Sequence, residues 1–425
     1  MPSRGEVGGG SVEGRVTTYG ALFAVPGFRR VAASGFLVRT AAGMWQLALV
    51  LFVIVTLRSP ILAGFAVFLS IAPGIVLSPL AGALLDRHGR VRLMALDYAA
   101  SAVAILAIAG TSLAGVLSAP LLLTIVALSS LTNPIGHAGV RSLFPLLVPR
   151  HLWDRANALD SVGYTLSSIL GAPLAGVLYA ALGPHPTFAI TGVLYLAAAV
   201  VMLAVRDPQA GVAGRHLLRE AGAAVGYVVR HPTLRSLAIG IFTGNLTMGI
   251  VVVAVPVLVV QGLDGDAAQV GQLWALLGLA GICAGLLTGR LGTKGRERLI
   301  IAAAFGGLGI GAAILGTAGS VQVVALGMIA IGLSLAPMDV ALFSLRQRRT
   351  DPAWFGRAFA VSMHLNYSGI PVGSAIAGPL VAVSFTLAFG LGVVFALVGA
   401  LLIYVLVPGE HAAVVSAAGE GLAGS

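Results

Sequence analysis

Gly82-Ala-Leu-Leu-Asp-Arg-His-Gly-Arg-Val-Arg92 is a short basic turn set between two long apolar runs, 60–85 and 93–115. The first run holds no charged residue and the second only Asp97. A helix rises about 1.5 Å per residue, so the hydrocarbon core of a bilayer takes roughly 20 apolar residues to cross. Each run is long enough, and the basic stretch is the polar turn between two membrane spans.

The same ruler carried outward accounts for the whole chain. Spans are predicted at 31–57, 60–85, 93–115, 119–142, 156–182 and 187–205, then at 236–261, 267–289, 299–318, 321–345, 357–382 and 384–406. Most boundaries are marked by charge or by turn pairs such as Gly183-Pro184. The last is placed near Ser384 by length alone. Composition agrees: 58% of the 425 residues are hydrophobic and 9% charged, with a mean hydropathy of +1.00. Soluble domains carry about a quarter of their residues as charges, so this surface faces lipid. The single cysteine, Cys283, excludes an internal disulfide and reads as a packing residue.

Twenty-three of the 25 Lys and Arg fall before span 1 or at the turns after even-numbered spans, leaving only Arg39 within span 1 and Arg58 on the opposite side. Positive charge stays on the cytoplasmic face, so both termini are expected there, in an inner (plasma) membrane. The net charge of +10 thus suits an anionic leaflet, not nucleic acid. The expected organisation is a disordered tail at 1–25, a six-helix bundle at 26–206, a cytoplasmic linker at 207–235, a second bundle at 236–407 and a tail at 408–425.

The two bundles resemble one another. Gly171-Ala-Pro-Leu-Ala-Gly176 has a counterpart in Gly373-Ser-Ala-Ile-Ala-Gly378, 202 residues on, where Arg155-Ala156 also meets Arg357-Ala358. Gly82–Gly89 matches Gly285–Gly292 at an offset of 203. The expected fold is therefore all-α and integral to the membrane, with twelve transmembrane helices in two parallel six-helix repeats. Such halves bind a solute between them near the midplane and rock around it.

Gly82, Asp86, Arg87, Gly89, Arg90 and Arg92 follow the GxxxDRxGRxR pattern, and on it the chain resembles the major facilitator superfamily. The resemblance implies a gating loop that favours one rocking state, an acid beside a basic turn being able to form charge-assisted bonds. The second half departs from the pattern, with Gly289 in place of Asp86. Arg141-Ser-Leu-Phe-Pro145 and the run through Leu159 are similar to the macrolide-efflux and enterobactin-exporter branch, and Arg141 is counted with the gating residues. Gly171, Pro173 and Gly176 look like a degraded form of the exporters' antiporter signature; Gly/Pro pairs can equally relieve helix packing.

Charges within spans ask for partners or water. In the resembled superfamily helices 1, 4, 7 and 10 line the cavity, which implies Arg39, Gln46, Asn133, His137, Asn245 and Asp339 as cavity candidates, joined by His364 and Asn366 in span 11. Asp339 is the acid expected to carry a proton or bind a cation, with Arg39 as its neighbour. Asp160 reads as interfacial. Gly43 is followed by Met44 and Trp45 where exporters of this branch tend to have an acid. No phosphate loop or zinc-ligand spacing occurs. No enzyme activity, cofactor or metal is expected. The expected partners are a small-molecule substrate, protons as a candidate coupling ion, and the lipid bilayer. The function this favours is secondary-active export of a hydrophobic or amphipathic molecule. The alternatives are import of a small metabolite, or a sensor or scaffold that transports nothing.

Overall fold

The structure is a computed structural model and describes residues 18–207, 217–351 and 354–409. With no water available to backbone groups in a bilayer, each span closes its hydrogen bonds within itself, and the described residues form helices throughout. These are α1 (Tyr19–Ala24), α2 (Phe28–Thr56), α3 (Pro60–His88), α4 (Arg90–Leu113), α5 (Ala119–Ser130), α6 (Asn133–Leu147), α7 (Trp153–Leu182), α8 (Pro184–Leu203), α9 (Leu217–Arg230), α10 (Pro232–Val257), α11 (Ala267–Leu291), α12 (Glu297–Gly316), α13 (Val321–Arg349), α14 (Phe355–Tyr367), α15 (Gly369–Val383) and α16 (Phe385–Leu406).

Eleven stretches of the described residues are long and apolar enough to cross a membrane. Spans 4 and 11 are interrupted: α5 gives way to α6 at Leu131–Thr132, and α14 to α15 at Ser368. Together α14 and α15 cover the eleventh predicted span, so the count is consistent with twelve. The turn placed by length does fall at Ser384, which is extended and whose hydroxyl accepts from the Leu387 N–H at 3.4 Å. α10 ends in a π-helical turn, Leu258–Gly262. Within residues 1–25, for which the sequence predicts no order, Tyr19–Ala24 are helical and Leu22 is buried. Residues 1–17 and 410–425 lie outside the described ones.

The packing repeats itself. In the first half α2 packs on α7 and α8, and α4 on α8; in the second α10 packs on α15 and α16, and α12 on α16. Turn geometry repeats too: Arg58 and Asp264, just ahead of α3 and α11, both adopt left-handed conformations, at φ 50° and 52°. The halves meet chiefly through α7 on α11 and α15 on α3. Gly176 and Gly378, equivalent in the repeat, carry these two contacts. A Cβ on Gly176 would lie 2.5 Å from the Ala267 carbonyl oxygen, and one on Gly378 2.6 Å from that of Pro60.

Ala267 and Pro60 open α11 and α3, so these contacts sit at the ends remote from the chain termini. Gln261, in the π turn, adds a bond there, its amide donating to the Ile54 carbonyl at 2.9 Å. Toward the other side, a Cβ added to Gly163 of α7 or Gly289 of α11 would meet no atom of another element within 4 Å.

Candidate functional site

The gating stretch runs off the end of α3 into α4. Arg87 and Arg92 are exposed. Gly89 is left-handed at φ 89°, which favours glycine, and a Cβ there would overlap the carboxylate of Asp207. Asp207 follows α8 and accepts from the Val91 N–H at 3.2 Å. It thus places negative charge at the unsatisfied first turn of α4. The basic turn is tied to the segment leading out of the first half, a contact across 116 residues. Arg90 is half-buried. Gly82 and Asp86 lie in α3, and His137 and Arg141 in α6. The side chains of Asp86, His137 and Arg141 fall outside the described residues.

The helix 5 glycines divide their work. Gly171 packs on the second span's neighbour α2, where its Cβ would be 2.8 Å from the Gly43 Cα, while Gly176 packs on α11. Pro173 lies within α7 between them, its backbone against Gly271 of α11. Their repeat partners do the same in the same order, Gly373 against Leu246 of α10 and Gly378 against α3. The motif lies where α7 holds one half together and touches the other.

The candidate cavity residues form two polar groups. In the first half, Arg39 of α2 pairs with Asp160 of α7 at 2.7 Å, with 19% and 7% of their side chains exposed. The Arg39 guanidinium also lies 5.5 Å from the centroid of the Tyr164 ring. This replaces the expectations that Asp160 is merely interfacial and that Arg39 serves Asp339; two ions inside a span are better held by one another than singly. Asn133 donates to the Ser70 carbonyl at 3.4 Å, and Gln46 is exposed.

In the second half, the Asn245 amide of α10 donates to the Asn366 carbonyl of α14 at 2.9 Å. The Asn366 amide, oriented to satisfy both its atoms, accepts from the Arg346 guanidinium and donates to the Ser362 carbonyl at 3.1 Å. Arg346 is 1% exposed, and its guanidinium also lies 2.7 Å from the Met363 sulfur. It lies two turns from Asp339 on the same face of α13. Asp339 and His364 are half-buried. Arg346 was expected in the loop after span 10; α13 instead continues to Arg349 and buries it. A seven-residue spacing of acid and base was the signal available for this pair.

Asp97 is a further residue that sequence reasoning passed over. It is 4% exposed in the inner part of α4; its being the one charge in the run 93–115 was the signal available for it.

Similarity to known proteins agrees with this architecture. The family profile described as Major Facilitator Superfamily matches residues 31–374. The chain is 37% identical over 390 residues to an uncharacterised MFS-type transporter, y4rN, of Sinorhizobium fredii, covering 91% of this chain and 96% of that protein. It is 26% identical to the enterobactin exporter EntS of Citrobacter koseri over 84% of this chain and 85% of that one. Among solved structures, the nucleoside transporter NupG superposes with a TM-score of 0.70 at 14% identity, covering 89% of this chain and 98% of that one. The inward-open xylose transporter XylE of E. coli gives 0.67 at 15%, covering 89% and 95%; both likenesses speak to the fold. A profile match over most of the length and a relative of nearly equal length leave one assignment: this chain belongs to the Major Facilitator Superfamily.

Proposed function

We propose that this multi-pass membrane transporter exports a hydrophobic or amphipathic small molecule from the cytoplasm, coupled to protons, with both termini on the cytoplasmic face of the inner membrane. The observation that carries the direction is the likeness to enterobactin exporters over most of both chains. The interior favours a cargo with much apolar surface. Its cations Arg39 and Arg346 are already engaged by Asp160 and Asn366, so little free positive charge is left for a phosphate or nucleotide. Asp339 is the coupling acid of the second half, and Arg346, Asn366 and Asn245 connect it to α10 and α14. The gating stretch Gly82–Arg92, with Arg141, and the motif Gly171, Pro173, Gly176 serve the rocking between states.

The test is transport by purified protein in liposomes under an imposed pH gradient, screened over siderophores, macrolides and other amphipathic drugs. Export of one of them, driven by the gradient, is expected. Asp339→Asn is expected to abolish gradient-driven movement while exchange of cargo without a gradient persists. Gradient-driven import of a polar metabolite, or full activity in the variant, overturns the direction or the role of Asp339 respectively.

A further inference from the structure

Asp97 lies seven residues into α4, about 10 Å along the helix at 1.5 Å per residue. It is 4% exposed, and its Oδ1 has no hydrogen-bond partner. The neighbouring Tyr98 is 0% exposed, and its hydroxyl has none either. The other carboxylate oxygen, Oδ2, rests on Gly136, leaving no room for a Cβ there. Gly136 belongs to the first turn of α6, where the fourth span resumes after its interruption. Thr132, at the head of α6, gives that turn no side-chain cap. The first N–H groups of a helix lack internal partners and carry partial positive charge. Asp97 thus stands, from another helix, in the place of the missing cap.

The grip depends on charge. An ionised Asp97 is attracted to the resumed helix, whereas a neutral carboxylic acid loses that attraction. We propose that Asp97 is a proton-binding site, and that loading it frees α6, the inner half of the fourth span, from α4. The proposal rests on the chain's being a proton-coupled transporter and adds a second acid, in the half that lacks Asp339.

The titratable groups around it are Tyr98 on its own helix, Tyr195 from α8 and Arg39 from α2. His137 follows Gly136 on α6, and its side chain is outside the described residues. A proton suits the site better than a metal cation. Among the described residues no cluster of three or more His, Cys, Asp or Glu occurs, and hard cations take about six oxygen ligands.

Infrared difference titration of the full chain in lipid nanodiscs, without cargo, tests this directly. Wild type is expected to show the C=O band of a protonated carboxylic acid that disappears as pH rises. Asp339→Asn is expected to keep a band that Asp97→Asn lacks. Gly136→Ala, which leaves the acid but displaces its carboxylate, is expected to move the midpoint of that band. Spin labels on α4 and α6 are expected to separate at low pH in wild type and to be indifferent to pH in Asp97→Asn. The band that Asp339→Asn keeps, surviving when Asp97→Asn is added to that variant, or no band in wild type, overturns the proposal. Should Asp97→Asn not insert, an unmoved midpoint in Gly136→Ala overturns it equally. None of these readings requires a known cargo, so a failure to find one bears only on the proposed transport.

Discussion

Arg39 and Asp160 lie 121 residues apart and meet at 2.7 Å inside the first half. Breaking a fully buried pair by removing one partner costs about 3–5 kcal/mol, while replacing both with apolar residues is often near neutral. With Arg39 at 19% exposed, Arg39→Leu and Asp160→Leu are each expected to cost near the lower end of that range. The double variant is expected to recover most of it, as a double-mutant cycle of thermal unfolding in detergent would record. Each residue stood out in the sequence as polar in an apolar run, but nothing in the run says which helix faces it. The same limit hid Asp207, whose contact with Val91 depends on how the segment after α8 returns beneath the first half. Arg346 was hidden differently: a hydropathy ruler ends a span at the first charge, whereas the helix carries on until its hydrogen bonds run out.

At the level of elements, the contacts that matter are made by backbone against backbone. Gly176→Val would drive a branched side chain into the Ala267 carbonyl, and inserting bulk into a packed site typically costs about 1–3 kcal/mol. It is expected to lower both the unfolding midpoint and the transport rate, and Gly378→Val to do the same. Gly163→Val lies on the same helix as Gly176 but meets open space, and is expected to leave both measurements close to wild type. The spans themselves were legible because lipid demands a length and a polarity that sequence displays openly. The interruptions in the fourth and eleventh spans were not, since Thr132 and Ser368 are ordinary residues in a membrane helix. Pro134 follows the first of them and suits the start of a helix, which is the one local hint.

For the whole molecule, a directional bond joins the halves at the end remote from the termini. Gln261 donates to Ile54 across the two halves there. A hydrogen bond is worth about 0.5–1.5 kcal/mol net, which is roughly a two- to tenfold change in an equilibrium between states. Gln261→Leu is therefore expected to raise the population open at that end by about that factor. Distances between spin labels on the loops before α3 and α11 would report it, in a Cys283→Ser background because Cys283, expected from the sequence as a packing residue, is instead exposed. The two-half plan was readable from the 202-residue offset; the conformation was not, because a sequence that rocks encodes both of its states. The fifth span of each half rests on the second span of the other, α7 on α11 and α15 on α3. If one surface touches another and the second touches the first in return, the interface is isologous, the arrangement of a two-fold homodimer. The chain keeps within one polypeptide the association of two like subunits. Its first half, made alone, would leave bare the α3 surface, where Gly64 meets Ser374 and Gly378 of α15, and the Gly176 surface of α7, and the shape best suited to cover them is another copy of itself.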